Sequence, residues 1–456
     1  MIPAPTRVRP TPRNVALGEA VRFGLLGAHA PVIGLLDVDG VLRAVDELRT
    51  AFEPAPVLHT FAAKACALVP VLRLMAQAGM GCEVASAGEL HLALAAGFPP
   101  ERLILDNPAK TVEELRFALT RGIAINLDNF QELARVDALR SEGVGTGAPI
   151  GLRVNPQVGT GSIGAMSTAT QTSKFGIALG DPGAVNAIVA AFAQRPWLSR
   201  LHAHVGSQGC SLELMAAGIK ATYKLAEHIN TLLGRFQVRS LDIGGGLPVN
   251  FADDEVKPTY ADYVDVLRAR VPGLLDGRYT LLTEFGRSLV AKSGTVASLV
   301  EYTKTSGGRP IAITHAGAQV ATRTVFMPNA WPLRVGAHDA NGRPKEGPTV
   351  PQDIAGPCCF AGDLTAVARP LPLLEPGDVV ALHDTGAYYF STHFAYNSLP
   401  RPAVYGYRVG EDDRVRFAPI RDAQSIGELV QEGGDEHGDS LVGLLDPAPE
   451  ESEPAG

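Results

Sequence analysis

Between residues 57 and 283, short apolar runs alternate with helical patterns, and this alternation leaves the chain very few folds. The runs lie at residues 57–61, 82–85, 102–105, 123–127, 150–154, 201–205, 238–243 and 279–283. Each has the length and apolar character of a buried strand, and segments such as 111–121 and 130–139 carry helical periodicity between them. Eight alternating strand–helix units are what a closed parallel barrel requires.

Around this repeat the texture changes. Residues 1–20 are rich in Pro and Arg and read as extended, and 21–36 could supply one or two strands. Asp39 has the position of an N-cap for a helix running through Leu42, Val45, Leu48 and Phe52. After Glu301 helical periodicity fades. Strand-like runs at 310–314, 324–327, 379–382 and 403–407 then sit between Gly and Pro turns, which indicates a β-domain. Residues 336–351 read as a loop, and beyond about Val430 the acidic, Gly- and Pro-rich end reads as disordered.

In parallel barrels the reactive groups sit at the carboxyl ends of the strands. In order, those ends offer Lys64, Ser86, Asn107, Asp128, Arg153 with Asn155, His204, Gly244-Gly245-Gly246, and Glu284 with Arg287. Lys64 follows a strand and precedes a helix, so its amine is held rigidly and can form a Schiff base with an aldehyde cofactor. A plain surface lysine would look the same on this stretch alone. The three glycines let backbone N–H groups approach an oxyanion, but they lack the spacing of a dinucleotide fingerprint and could form an ordinary turn. A carboxylate such as Glu284 can keep a pyridine nitrogen protonated, or it can simply pair with Arg287.

His202 and His204 lie two apart on a strand and point the same way. No Cys or carboxylate accompanies them at metal-ligand spacing, so no metal site is expected. Cys358 and Cys359 are either small buried residues or, in an electropositive setting, reactive thiols. The segment 384–397 groups Tyr388, Tyr389, His393 and Tyr396, which are ligand donors if exposed and core if buried.

Charge excludes one class of partner. The net charge is −8, and eight acids with no Lys or Arg lie between Glu432 and the end, so the rest of the chain is near neutral. No basic face is visible, which argues against nucleic acid. The five cysteines are odd in number and scattered, as for free thiols in a reducing compartment. The apolar stretch 23–36 is too short for a membrane span and is not placed like a signal peptide, so a cytoplasmic protein without a membrane partner is expected.

Taken together, these residues resemble the fold type III pyridoxal-phosphate decarboxylases, the diaminopimelate and ornithine decarboxylase group. The resemblance runs from about Leu36 to Tyr407. It rests on FAAKAC, GCEVASAGEL, LDNPAKT, LRVNP with SKFGI, LHAHVGSQ, DIGGGLP, TEFGR, GPCCFAGD, GAYYF and YNSLPRP. It implies a (β/α)8 barrel over residues 37–307 and a β-barrel-like domain over 308–430. Residues 1–36 would join that domain, and 431–456 would form an acidic tail.

The resemblance further implies that Lys64 carries pyridoxal 5'-phosphate as an aldimine, that His204 stacks on the ring, and that Glu284 meets the ring nitrogen. Ser207, Gly244, Gly245, Gly246, Gly286, Arg287 and a tyrosine, Tyr388 or Tyr396, would hold the cofactor. Cys359 would act as the family's proton-donating thiol across a homodimer interface, with shared active sites. Arg287, Arg323, Met327 and Phe360 would face an amino-acid substrate.

Several positions depart from the family pattern. Phe285 replaces its proline, Phe360 the acid after its thiol, Met327 a tyrosine, His315 an aspartate, and Glu83 stands where aspartate is common. The activity implied is amino-acid decarboxylation, a carbon–carbon lyase reaction, with a substrate that could differ from diaminopimelate. A racemase, or a homologue that binds the cofactor without turnover, are the alternatives.

Overall fold

A computed structural model describes residues 11–145 and 147–445. Eight parallel strands close into a barrel: Val57–Ala62, Gly81–Val84, Leu103–Leu105, Ala124–Leu127, Ile150–Asn155, Leu198–His202, Ser240–Asp242 and Thr280–Phe285. Neighbours in the barrel are neighbours in the chain, and pairing of Thr280–Phe285 with Val57–Ala62 (Glu284 opposite Thr60) completes the ring. A two-residue strand, Ile177–Ala178, lies against the end of Ile150–Asn155. Alternation along each strand sends one set of side chains to the helices and the other inward. Leu58, Ile104, Ala124 and Leu282 form an apolar cluster separate from the main core, which plugs the amino-terminal end of the barrel.

Polar side chains at the strand ends start the helices. Ser86, Asn129 and Ser211 accept N–H groups of the first turns of Ala87–Ala96, Phe130–Ser141 and Leu212–Leu233, and Thr111 forms a full capping box. Three residues at the sequence-predicted strand ends thus do structural work. Ser86 is a cap, Asn107 accepts the N–H of Ala109 at 2.6 Å, and Asp128 accepts that of Gly176 at 3.0 Å.

A second, nine-stranded mixed sheet is centred on the long strand Gly294–Ser306. Val32–Asp37 runs antiparallel to it on one side and parallel to Ala403–Val409 on the other. A segment that precedes the barrel in sequence is therefore built into the sheet that follows it.

Several expectations need correcting. Residues 12–20 are not extended: Pro12–Arg22 is a helix capped by Thr11, with proline where it costs no hydrogen bond. Of residues 21–36, only the last part is a strand. The helix Val38–Phe52 is capped by Asp37, which accepts the Gly40 N–H at 3.0 Å, while Asp39 lies in its first turn and pairs with Arg408. The strand expected at 201–205 is Leu198–His202. Residues 324–327 end a helix, Ala318–Phe326, and are not a strand. The loop expected at 336–351 begins and ends in strands, Val335–His338 and Thr349–Ala355. The acidic end forms a capped helix, Ile426–Glu432, and short turns to Leu445; residues 1–10 and 446–456 lie outside the described residues.

Besides the Asp39–Arg408 pair, an ionic hub ties the two bodies. Arg334 grips Asp384 with two nitrogens, at 2.8 and 2.9 Å, and reaches Asp254 in the loop after the seventh barrel strand at 2.7 Å. Arg13 of the first helix joins Asp254 at 3.0 Å. Asp384 is fully buried, so its loss leaves the half-buried Arg334 guanidinium without its two-nitrogen partner, whereas Asp254 is 63% exposed. Asp384→Ala is therefore expected to cost roughly 3–5 kcal/mol in denaturant unfolding. Asp254→Ala is expected to cost no more than about 1 kcal/mol.

Candidate active site

Lys64 sits in a single turn, Ala63–Ala65, at the carboxyl end of the first barrel strand. The Ala65 carbonyl accepts the N–H of Tyr388 at 2.7 Å, which pins a segment of the second body beside the lysine. Tyr388 has φ +67°, strained for a non-glycine residue, so the surrounding contacts must hold it there. The Lys64 side chain faces a cavity of about 240 Å³ that is also lined by His204, Ser207, Gly246, Glu284, Gly286, Arg287, Arg323 and Tyr388. Four strand ends of the barrel, with one helix and one loop of the β-domain, thus bring together nine of the residues singled out in the sequence.

The amine lies 2.5 Å from Glu83 Oε2. Burial works against its charge, but Glu83, Glu284 and Tyr388 outweigh burial and hold the lysine protonated well above its usual range. Burial also pushes the Glu83 carboxyl up, to about 8, which pulls against the same pair. The ammonium–carboxylate form prevails because the lysine has Glu284 as a second anion. Glu284 itself is 3% exposed. Burial would raise its pKa, yet His202 and Lys64 hold the carboxyl well below the usual range.

His204 Nδ1 accepts the Gly245 N–H at 3.2 Å, so that nitrogen carries the lone pair, and burial lowers the imidazole's pKa. The carboxylate that strand spacing did not supply to the two histidines arrives from the eighth strand: Glu284 Oε2 lies 3.5 Å from His202 and 3.6 Å from His204. Glu284 does not pair with Arg287. The glycine run is required by close packing. A Cβ on Gly245 would lie 2.1 Å from the Glu284 carbonyl oxygen, and one on Gly246 would lie 1.8 Å from that of Gly206.

Arg287 and Arg323 share two aromatic rings. The Arg287 guanidinium lies 4.4 Å from the Trp331 ring and 4.6 Å from Tyr388; Arg323 lies 4.1 Å from Tyr388 and 5.2 Å from Trp331. Cation–π contact stabilises each charge. Burial, with the neighbouring Arg323 charge adding to it, lowers Arg287 to about 10. Arg287 Nε, Arg323 Nη1 and Glu284 Oε1 are buried without a hydrogen-bond partner.

Six expected site residues do not line this cavity: Gly244 and Gly245, directly before Gly246, and four that lie apart from it within the chain. Cys359 and Met327 are exposed. Phe360 and Tyr396 belong to an aromatic cluster with Phe326 and Phe394, in which Phe326 and Phe360 stack at 5.5 Å.

Over residues 38–291 the chain matches the family model described as pyridoxal-dependent decarboxylase, pyridoxal binding domain. This protein belongs to the pyridoxal-dependent decarboxylases. Diaminopimelate decarboxylase of Pseudomonas fluorescens is 36% identical to it over 358 residues, 77% of this chain and 82% of the relative. The Helicobacter pylori enzyme of that name is 30% identical over 417 residues, 90% and 98% of the two chains. The crystal structure of diaminopimelate decarboxylase from Helicobacter pylori complexed with L-lysine aligns with a TM-score of 0.78 at 28% identity, over 91% of this chain and 100% of that one. The fold is fold type III, the enzyme class is a decarboxylase, and the cofactor is pyridoxal 5'-phosphate.

The residues present fit that cofactor. A buried carboxylate oxygen and two guanidinium N–H groups without partners each leave a deficit of about 1–3 kcal/mol, which a ring N–H and an anionic group satisfy. Lys64 could take the aldehyde.

Trp331, Asp106 and His202's full role escaped the sequence reading. Trp331 comes from the second body, so no strand-end pattern points to it. Asp106 lies one residue before the strand end as read, although its parity with Ile104 marks it as inward-facing. The chain has two tryptophans, Trp197 and Trp331. Only Trp331 contacts cavity arginines. Adding cofactor to the apoprotein should therefore quench tryptophan fluorescence in Trp197→Phe and leave it nearly unchanged in Trp331→Phe.

Proposed function

We propose that this decarboxylase releases carbon dioxide from an α-amino acid, with Lys64 covalently holding the cofactor. Glu284 carries the reading. It is a buried, ionised carboxylate that lines the lysine's cavity with one oxygen unpaired. Placed against a pyridine nitrogen it would keep that ring protonated, and the group, when bound, would supply the electron sink that breaking a carbon–carbon bond needs. His204 supports the ring face. Ser207, Gly246, Gly286, Arg287 and Tyr388 would hold the phosphate side, with Gly244 and Gly245 shaping the turn below them, their N–H groups already given to Asp242 and His204, and Arg323 would receive a substrate carboxylate.

Cys359, Phe360, Met327 and Tyr396 enter the reading through a second copy of the chain. They share one face with Phe326, which is 55% exposed, and Met327 is 43% exposed. An apolar patch of this kind suits an interface. In a homodimer it would bring the Cys359 thiol to the partner's cavity, where it returns a proton to the substrate carbon. The relatives are named for diaminopimelate, but Phe360 and Met327 favour a substrate with a less polar far end. A cytoplasmic setting fits the cysteines, all five of which are free, and no helix among the described residues is long and apolar enough to cross a membrane.

Carbon dioxide release should be seen across a panel of L- and meso-amino acids without inversion at the α-carbon; inversion without gas release would replace this reading with racemisation. Glu284→Ala should sharply lower turnover while cofactor stays bound. Lys64→Ala and Cys359→Ala should each be inactive, and mixing them should restore about a quarter of the wild-type rate, since half the dimers then hold one intact site of two.

A further inference from the structure

Beneath the cavity, four charged side chains form a row across the barrel: Arg153, Asp106, His202 and Glu284. Arg153 Nη1 lies 3.3 and 3.5 Å from the two Asp106 oxygens. His202 Nδ1 lies 3.5 Å from Asp106 Oδ2, and His202 Nε2 lies 3.5 Å from Glu284 Oε2. The imidazole has no exposed surface, and among the described residues neither ring nitrogen has a hydrogen-bond partner, so each has only its ion-pair contact with a carboxylate at 3.5 Å.

A neutral imidazole has one N–H and one lone pair. Set between two carboxylates, one at each nitrogen, it would aim that lone pair at a negative oxygen. Only the imidazolium offers a donor to both. Asp106 stays ionised because burial, which raises its pKa, is outweighed by Arg153 and His202. The remaining neighbours are accounted for. Asp242 takes the Asn126 amide at 2.9 Å and the Gly244 N–H at 3.1 Å, Arg200 reaches Ser240 at 3.2 Å, and Lys64 is paired with Glu83. His204 accepts from Gly245 and so brings no second cation.

We infer that His202 is a positioning residue: a buried imidazolium that bridges Asp106 and Glu284, holding Glu284 ionised by its Oε2 and leaving Oε1 for the cofactor ring. The bridge stands on the geometry, whereas its consequence for the cofactor rests on the role proposed for Glu284. The balance of charges agrees. Burial opposes the cation, yet Asp106, Glu284 and Asp242 raise His202 to about 9. Two histidines on one strand face thus hold different states, cationic below and neutral beside the cofactor.

The test is histidine-selective 15N NMR of the full chain, with the His202 signals assigned by their loss in His202→Gln. Both ring nitrogens should be protonated between pH 6 and 8, in apo- and holoprotein alike. A neutral tautomer in that range, or a titration midpoint below 7, would overturn the inference whatever the cofactor does. In His202→Gln, Glu284 loses its counter-ion and its pKa rises. Cofactor retention, followed by absorbance, should then fail at higher pH than in wild type, with the acid limb moved up by roughly 1–3 units. Asp106→Asn, which leaves Glu284 untouched, should move it in the same direction. An unshifted limb in both variants, with the imidazolium present, would contradict the positioning role. A chain that binds no cofactor at Lys64 would instead defeat the proposed function and leave the NMR result standing.

Discussion

Four carboxylates, Glu83, Asp106, Asp242 and Glu284, are buried inside a barrel, and the structure depends on how their charges are balanced. Taking ions out of water costs several kcal/mol each unless each finds a partner. Here every one does. Lys64 answers Glu83, Arg153 answers Asp106, and Asn126 with the Gly244 N–H answers Asp242. Glu83 and Glu284 each keep one oxygen without a hydrogen-bond partner, and the Glu284 oxygen is on a residue that lines the cavity. The apolar cluster of Leu58, Ile104, Ala124 and Leu282 packs inside the same barrel, and in such buried surroundings each charge is felt more strongly than in water.

The second body adds what the barrel lacks. It supplies Arg323, Trp331 and Tyr388, and with Arg287 of the barrel these make two cations stacked on two rings with no carboxylate between them. The Arg334–Asp384 pair lies three residues after Trp331 and four before Tyr388, so the hub that joins the two bodies also fixes the spacing of the rings. Fold stability and anion binding therefore share the same contacts. The cavity presents a lysine at one point, an unpaired carboxylate oxygen at another and paired cations at a third, which is the complementarity an anionic ring aldehyde needs.

Much of this was legible in the sequence. Alternating apolar runs gave the barrel because a parallel strand buried on both faces leaves an uninterrupted apolar signature. The strand-end rule then picked out Lys64, His204, Gly246, Glu284 and Arg287, which line one cavity. It also offered Ser86, Asn107 and Asp128, which cap a helix or accept backbone N–H groups, because capping and binding draw on the same side chains. The first helix was hidden by its prolines, although Pro12 at a helix start is favourable. The helix Ala318–Phe326 was hidden by β-branched Thr and Val, whose weak helix preference is overridden by packing. Trp331 and the ionic hub were beyond reach, since they depend on contacts between segments far apart in the chain.

The central claim is that Lys64 is the point of cofactor attachment. Borohydride reduction of the purified holoprotein, followed by peptide mass spectrometry, tests it most directly. The account predicts a phosphopyridoxyl group on the peptide that contains Lys64 and on no other. The same modification on Lys110 or Lys292, or none at all, would contradict it.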